Sequence, residues 1–206
     1  MTDTKIFDLK TFGRSETAFL AEALLSGKTA VLPTDTVYGV VVCAKREYLG
    51  ALNALKENPP DKPAQILCTK AQARVLALPG PALDAALGIW PKPLTAILPA
   101  SPEGKVLSGL NTVGLRVPAG GFMADLFGVM GAPLYASSAN MHSLPTLERE
   151  EDILDIFSGK ADIIIKGGFL KAASSCVADL SVCPPKIIRE GGLGEREKQI
   201  IFSKIK

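Results

Sequence analysis

Short apolar segments that alternate with helical patterns restrict most strongly how this chain can fold. Apolar and β-branched runs predict strands at 29–33, 37–44, 64–68, 94–100, 112–118, 133–139, 161–167 and 186–191, with another after Ser175. Apolar residues at helical spacing predict helices at 15–28, 46–56, 120–131 and 147–159, and in two stretches through Trp90. The first helix has Ser15 as its predicted N-cap and Gly27 at its predicted C-terminal end. This alternation predicts an α/β or α+β domain around a mixed sheet.

Composition predicts one soluble globular domain. The chain has 206 residues, of which 47% are hydrophobic and 21% are charged, enough to bury a core without cross-links. Because no repeat or linker is evident, we expect a single domain over 1–206, with 193–206 as a terminal helix or a loose tail. The start lacks the pattern of a signal peptide, and no apolar run approaches the roughly 20 residues that span a bilayer. These features predict a cytoplasmic protein.

Net charge, cysteine spacing and histidine count give no indication of a nucleic-acid site or a metal site. A net charge of +2 is too small to indicate nucleic-acid binding by itself. The cysteines, Cys43, Cys68, Cys176 and Cys183, lie in apolar contexts without C-x-x-C spacing, and we predict that they are buried, reduced thiols. His142 is the only histidine, so a histidine-based metal site is not expected, and no metal ligands are assigned.

Polar residues collect at the ends of the predicted strands. Thr34, Asp35 and Thr36 interrupt two apolar segments, 137–140 reads SSAN at the end of another strand, and Ser174 and Ser175 precede a further one. Such groups are typical of a ligand cleft, although each could serve only as a turn or capping residue.

Two arginines, Arg116 and Arg189, follow apolar residues in predicted strands. A buried arginine needs an anionic partner, which could be a ligand carboxylate or phosphate or a carboxylate of the protein. The sequence lacks G-x-x-x-x-G-K-[ST], G-x-G-x-x-G and G-x-S-x-G. From the residues alone we therefore predict an anion-binding α/β protein, with nucleotide as one candidate ligand.

Several short motifs occur in a definite order over about residues 15–192. They are PTDTVYG at 33–39, KENPPDKP at 56–63, WPKPLT at 90–95, VGLRVP at 113–118, SSANMHS at 137–143, SSCVAD at 174–179 and REG at 189–191. In this order the chain resembles the YrdC-like threonylcarbamoyl-AMP synthases, in a short form without the additional C-terminal domain of longer members. The resemblance implies a twisted mixed β-sheet with flanking helices around a positively lined cleft.

The resemblance also implies an activity. Members of this family make threonylcarbamoyl-adenylate from threonine, bicarbonate and ATP, with release of pyrophosphate. The product is used by a downstream tRNA-modifying transferase, and Mg²⁺ is expected with the ATP. No membrane partner and no covalent nucleophile are implied.

The motifs assign site residues by position. The residues implied for threonine are Thr34, Arg116, Ser138 and Ser175. Those implied for ATP are Lys56, Asn58, Lys62, Thr112, Asn140 and Arg189, and Lys56 and Arg116 are the implied catalytic residues.

One departure from the family pattern opens an alternative. Asn58 stands where the pattern K-x-R has arginine, which removes a positive charge. Lys45, Arg46 or Lys92 are candidates to replace that charge. The alternative is a diverged paralogue with reduced or altered activity that binds nucleotide or double-stranded RNA.

Overall fold

The computed structural model describes residues 2–140 and 146–205, which form ten strands and eight α-helices around one sheet. The strands are β1 (Lys5–Asp8), β2 (Ala30–Pro33), β3 (Tyr38–Cys43), β4 (Gln65–Leu67), β5 (Leu94–Pro99), β6 (Thr112–Arg116), β7 (Leu134–Ser138), β8 (Ile163–Lys166), β9 (Cys176–Asp179) and β10 (Lys186–Arg189). The helices are α1 (Arg14–Leu25), α2 (Leu49–Leu55), α3 (Lys70–Leu76), α4 (Pro81–Ile89), α5 (Pro102–Ser108), α6 (Gly121–Met130), α7 (Glu150–Phe157) and α8 (Glu195–Lys204).

The sheet is mixed, as the sequence predicted. Its strands lie in the order β1-β8-β2-β3-β7-β4-β6-β5-β9-β10. The pairs β1/β8, β8/β2, β4/β6 and β5/β9 are parallel, and the other neighbours are antiparallel. The parallel pairs join segments far apart in the chain, so this order depends on the helical crossovers.

Alternation along the strands divides the core between two faces. In β3, Val40 and Val42 belong to the cluster that packs against α2, α3, α4, α7 and α8, whereas Val41 and Cys43 belong to the cluster that packs against α1 and α6. The α1/α6 cluster also includes Leu67 of β4. Helices α1 and α6 therefore cover mainly the half of their face that contains β8, β2, β3 and β7.

The ends of α1 test the capping predictions. The N-cap is Gly13, whose backbone N–H donates to the Glu16 carboxylate at 2.9 Å. The prediction for Ser15 is wrong, because Ser15 lies inside the helix and its hydroxyl donates to Glu16. Gly27 follows the C-cap Ser26 with φ of 90°, the left-handed region that glycine adopts without a steric penalty, so that prediction is confirmed.

Other local predictions have mixed outcomes. The C-terminal segment forms helix α8, anchored by the buried Ile201, rather than a loose tail. Cys43, Cys68 and Cys176 are buried as predicted, but Cys183 is exposed because it lies in the turn between β9 and the edge strand β10. Within the described residues, no helix is long and apolar enough to cross a bilayer.

Two elements were not predicted from the sequence. Strand β1 is a short edge strand that exists through its parallel pairing with β8. Helix α5 follows Ser101, which accepts a hydrogen bond from the backbone N–H of Gly104, and begins at Pro102. A serine N-cap followed by proline is a helix-start signal that was present in the sequence.

Candidate functional site

A cleft of about 280 Å³ lies on the sheet face that α1 and α6 only partly cover. Leu67 and Ala136 belong to the α1/α6 core and also line this cleft, so it continues the same face over β4, β6, β5 and β9. The polar residues that line it are Thr34, Thr36, Gln65, Thr95, Arg116, Ser137, Ser138, Ser174, Ser175 and Arg189. The fold thus brings together five residues assigned from the sequence, namely Thr34, Arg116, Ser138, Ser175 and Arg189.

The turn between β2 and β3 is organised by the Thr34 hydroxyl. Thr34 Oγ1 donates to the backbone oxygen of Val37 at 2.7 Å and accepts from the backbone N–H groups of Thr36 and Val37 at 3.2 and 3.3 Å. These bonds close the turn locally, as threonine side chains do in such motifs. The polar triplet after β2 therefore has a structural role, and it also brings Asp35 to Arg116.

Arg116 is a buried cation at the end of β6. Its side chain is 4% exposed, and its Nη2 donates to Asp35 Oδ1 at 2.6 Å. Burial lowers the pKa of Arg116, and the Asp35 carboxylate opposes that effect, so the guanidinium stays charged. The Nε–H is also buried, and it has no hydrogen-bond partner within the described residues. This N–H is a donor that a ligand can satisfy.

A chain of side-chain hydrogen bonds crosses the cleft from β10 to β4. Arg189 Nη2 donates to the backbone oxygen of Ser175 at 2.9 Å and lies 3.4 Å from Ser175 Oγ. Ser175 Oγ lies 2.8 Å from Thr95 Oγ1, which donates to Gln65 Oε1 at 2.8 Å. Thr95 and Ser175 are almost completely buried. Buried polar groups linked in this way fix one another's orientation.

The position of Arg189 depends on a close approach between two loops. A Cβ on Gly191 would lie 2.3 Å from the backbone oxygen of Ser174 and 2.4 Å from the backbone nitrogen of Cys176. The backbone N–H of Gly192 donates to the same Ser174 oxygen at 2.9 Å. Glycine at 191 therefore lets the segment after β10 pack directly on the loop that carries Ser174.

Lys56 is a second buried cation beside the cleft. It is the C-cap of α2 and is 4% exposed. Its Nζ donates to the backbone oxygen of Ser138 and, at 3.0 Å, to Asn140 Oδ1. Burial lowers the pKa of Lys56 to about 8, and the neighbouring Lys62 ammonium acts in the same direction. A charged lysine held among neutral oxygens is suited to an incoming anion.

Asn58 and Lys62 lie together on the loop after α2. Lys62 Nζ donates to Asn58 Oδ1 at 3.0 Å. The buried Asn53 holds this loop, since its Nδ2 donates to the backbone oxygens of Pro60 at 2.8 Å and Lys62 at 2.9 Å. An ammonium group therefore lies next to the residue that departs from the family pattern, although neither Asn58 nor Lys62 lines the cleft itself.

The remaining assigned or candidate residues lie elsewhere. Thr112 begins β6, about 13 Å along the strand from Arg116 at its other end, and does not line the cleft. Lys45 lies over the Tyr48 ring, and Arg46 donates to the backbone oxygen of Ser108. Lys92 pairs with Glu197 of α8. These contacts direct all three candidate compensating cations to partners outside the cleft.

The sequence reasoning missed two polar residues in the cleft floor, Gln65 and Thr95. The signal was a polar residue within an otherwise apolar strand, the same signal that identified Arg116. Tyr38 also has a role that the sequence did not assign. Its hydroxyl donates to the backbone oxygen of Gly168 at 2.9 Å and accepts from the N–H of Gly167 at 2.7 Å, which ties the segment after β8 to β3.

Within 2–140 and 146–205, no group of three or more His, Cys, Asp or Glu side chains could hold a metal ion. The last residues of the SSANMHS motif, including His142, lie outside the described residues.

Comparisons with known proteins identify the family to which the chain is similar. A protein-family model for Sua5, YciO and YrdC, described as "Telomere recombination", matches residues 22–191. A threonylcarbamoyl-AMP synthase from Pyrococcus abyssi is 34% identical over 197 residues, covering 87% of this chain and 55% of the relative. The chain thus spans little more than half the length of that relative.

Two solved structures share the fold. Sua5 of P. abyssi complexed with L-threonine superposes with a TM-score of 0.87 at 31% identity, covering 98% of this chain and 62% of that one. YciO of E. coli has a TM-score of 0.82 at 21% identity, covering 96% of this chain and 99% of that one. The second likeness concerns the fold alone.

Proposed function

Because the chain belongs to the Sua5/YciO/YrdC family, we propose that it is a threonylcarbamoyl-AMP synthase that uses threonine, bicarbonate and ATP. One observation carries the proposal most directly. Arg116 is buried at the cleft with one carboxylate partner and a buried Nε–H that has no partner within the described residues. A guanidinium in this state is suited to a ligand carboxylate, because charge-assisted bonds from its planar donors are strong and directional.

The threonine subsite lies at Arg116. Arg116 binds the threonine carboxylate, and Thr34, Ser138 and Ser175 supply hydroxyl groups around it. Thr34 Oγ1 already donates to the Val37 oxygen and accepts from the N–H groups of Thr36 and Val37, so Thr34 lines the subsite with its hydroxyl fixed within the turn. Support comes from a relative, Sua5 of P. abyssi, which has been crystallised with L-threonine.

The ATP subsite extends from Ser138 toward α2. Lys56 and Lys62 face the phosphates as ammonium groups, and Asn58 and Asn140 orient them through the hydrogen bonds described above. Arg189 lies on the opposite wall of the cleft and completes the positive lining. Thr112 is also predicted for this subsite. Its distance from Arg116 along β6 does not support that assignment.

The chemistry needs positioning and charge rather than a covalent nucleophile. The threonine nitrogen forms a bond to the bicarbonate carbon and water leaves, which gives the carbamate. A carbamate oxygen then bonds to the α-phosphorus, and the bond from that phosphorus to the bridging oxygen breaks, releasing pyrophosphate. Lys56 and Arg116 are the proposed catalytic residues, because they hold the phosphates and the threonine carboxylate in line.

Mg²⁺ fits this site only as a companion of ATP. The carboxylate beside the cleft, Asp35, is committed to Arg116, and the described residues offer no protein-only metal cluster. Mg²⁺ commonly binds through substrate phosphates and water, and it would neutralise phosphate charge here. We propose that it arrives with the nucleotide.

Asn58 is the observation that favours the second candidate, a diverged paralogue with altered activity. Lys62 weakens that alternative, since its ammonium lies 3.0 Å from the Asn58 amide oxygen and supplies a positive charge at this position. Asn58→Arg tests whether the site lacks a charge. If the site still needs an arginine, this variant forms adenylate faster than the wild type; no rise means that the charge is supplied elsewhere, as by Lys62, or that the function has changed.

Pyrophosphate release tests the proposed function. Purified protein is assayed with ATP, threonine, bicarbonate and Mg²⁺, and each is omitted in turn. Release that requires both threonine and bicarbonate supports the synthase. ATP binding without release contradicts it and favours the paralogue, whose binding of double-stranded RNA would weaken steeply with salt. As a synthase, the protein would act in the cytoplasm and hand its product to a tRNA-modifying transferase.

A further inference from the structure

We propose that the side-chain amide of Gln65 is a substrate-binding group that donates to the carbamate oxygens derived from bicarbonate. This inference rests on the proposed function for the identity of the ligand. Its structural basis does not depend on the proposed function. That basis is the direction of the hydrogen-bond chain across the cleft floor.

The hydrogen bond that Thr95 donates sets the orientation of the Gln65 amide in the structure. Thr95 has a single hydroxyl proton, and it is donated to Gln65 Oε1 at 2.8 Å. The 2.8 Å contact between Thr95 Oγ1 and Ser175 Oγ must therefore use the Ser175 proton. Ser175 in turn lies within reach of an Arg189 N–H. The chain runs from cation to amide oxygen, and it holds Oε1 away from the ligand.

The same orientation turns the amide nitrogen of Gln65 toward the open cleft. Within the described residues, Gln65 Nε2 has no hydrogen-bond acceptor, while its Oε1 is occupied. The neighbouring residues on β6 and β7 at this level are Gly114 and Ala136, so neither flanking strand places a large side chain beside Gln65. Gln65 therefore directs two N–H donors to the cleft while its Oε1 is directed at Thr95, which favours a ligand group made of oxygen acceptors.

The position of Gln65 relative to Arg116 indicates which acceptors these are. Leu67 of β4 is level with Arg116 of β6, and Gln65 lies two residues earlier on the same face. That geometry separates the two backbone positions by about 8 Å, the diagonal of two residues along a strand and one strand spacing. With the threonine carboxylate on Arg116, its substituted nitrogen lies within reach of Gln65. The carbamate oxygens are the acceptors that form there.

Substitutions distinguish donation from simple packing. Gln65→Met keeps the length of the side chain and removes both donors, so we expect the KM for bicarbonate to rise roughly tenfold or more. The KM for threonine should stay unchanged. Thr95→Val keeps the Gln65 amide but removes the hydrogen bond that orients it, so the KM for bicarbonate should rise by a smaller factor. Thr95→Ser keeps the hydroxyl, so its KM for bicarbonate should stay at the wild-type value. Gln199→Met, at an exposed glutamine of α8, is the matched control and should change neither constant.

A binding readout separates this proposal from the proposed function. The NMR signal of the Gln65 side-chain amide is identified in ¹⁵N-labelled protein as the signal that is missing in Gln65→Met. The chemical shift of this signal should change when bicarbonate is added with threonine and ATP. A shift with threonine alone and no further change with bicarbonate would assign Gln65 to the threonine hydroxyl and overturn the inference, as would no shift at all. A bicarbonate-dependent shift without pyrophosphate release would retain the inference and reject the synthase.

Discussion

Removing the Arg116 guanidinium should separate the stability of the fold from the binding of substrate. In Arg116→Met the Asp35 carboxylate, whose side chain is 14% exposed, loses its cation. Breaking a fully buried pair costs about 3–5 kcal/mol, and an exposed pair about 0–1 kcal/mol. The partial exposure of Asp35 puts the expected loss of unfolding free energy between these limits, at about 2 kcal/mol.

A second substitution shows where that loss comes from. Asp35→Asn in the Arg116→Met background removes the stranded charge, so most of the lost unfolding free energy should return. Threonine binding should not return, because the variant still lacks the guanidinium. Two charge-assisted hydrogen bonds are worth about 3 kcal/mol in total, so the Kd for threonine should rise more than about a hundredfold in both variants.

Urea unfolding and calorimetry measure the two quantities. Trp90 is the only tryptophan and is 2% exposed, so its fluorescence reports unfolding of the core. Lys28→Met, which breaks the more exposed ion pair with Asp162, is the control and should cost less than about 1 kcal/mol. Equal instability of the single and double variants would refute the electrostatic reasoning. Wild-type threonine affinity in either variant would refute the assignment of Arg116.

Two further substitutions test the nucleotide side of the cleft and the support of β3. Phosphate binding favours the charged form of Lys56, so ATP affinity should fall as pH rises through about 8, the pKa of Lys56. Lys62→Met should move the midpoint of this pH dependence upward in calorimetric titrations, because it removes a charge that lowers the Lys56 pKa. An unchanged midpoint would mean that Lys62 does not act on Lys56. Tyr38→Phe removes both hydrogen bonds to the backbone of 167–168 and should cost about 1–3 kcal/mol in urea unfolding. Tyr48→Phe, at a hydroxyl without such bonds in the described chain, should cost much less.

Local patterns were sufficient where a single segment decides its own structure. The strands and most helices could be predicted from the periodicity of apolar residues, because alternating or helical spacing indicates which side of an element is buried. Ser15 shows the limit of that reasoning. It has the right chemistry for an N-cap, but the bond between Gly13 and Glu16 starts the helix earlier and leaves Ser15 inside it. Competing caps one or two residues apart are decided by geometry.

The candidate site was recognisable through its motifs but not through its contacts. Thr34, Arg116, Ser138, Ser175 and Arg189 were assigned from the sequence, and they line one cleft. Their partners were not predictable, because hydrogen bonds such as that between Arg116 and Asp35 join residues 81 positions apart.

The alternating strands and helices, the family, and the polar residues at the strand ends could be inferred from the amino-acid sequence. The strand order, the uncovered half of one sheet face, and the direction of the hydrogen-bond chain through Thr95 to Gln65 became visible in the folded sheet. Periodicity and capping act within a few residues, whereas strand pairing and proton donation depend on which distant strands become neighbours. The hydroxyl of Thr95 meets Gln65, 30 positions away, only because the sheet places β4 and β5 on either side of β6.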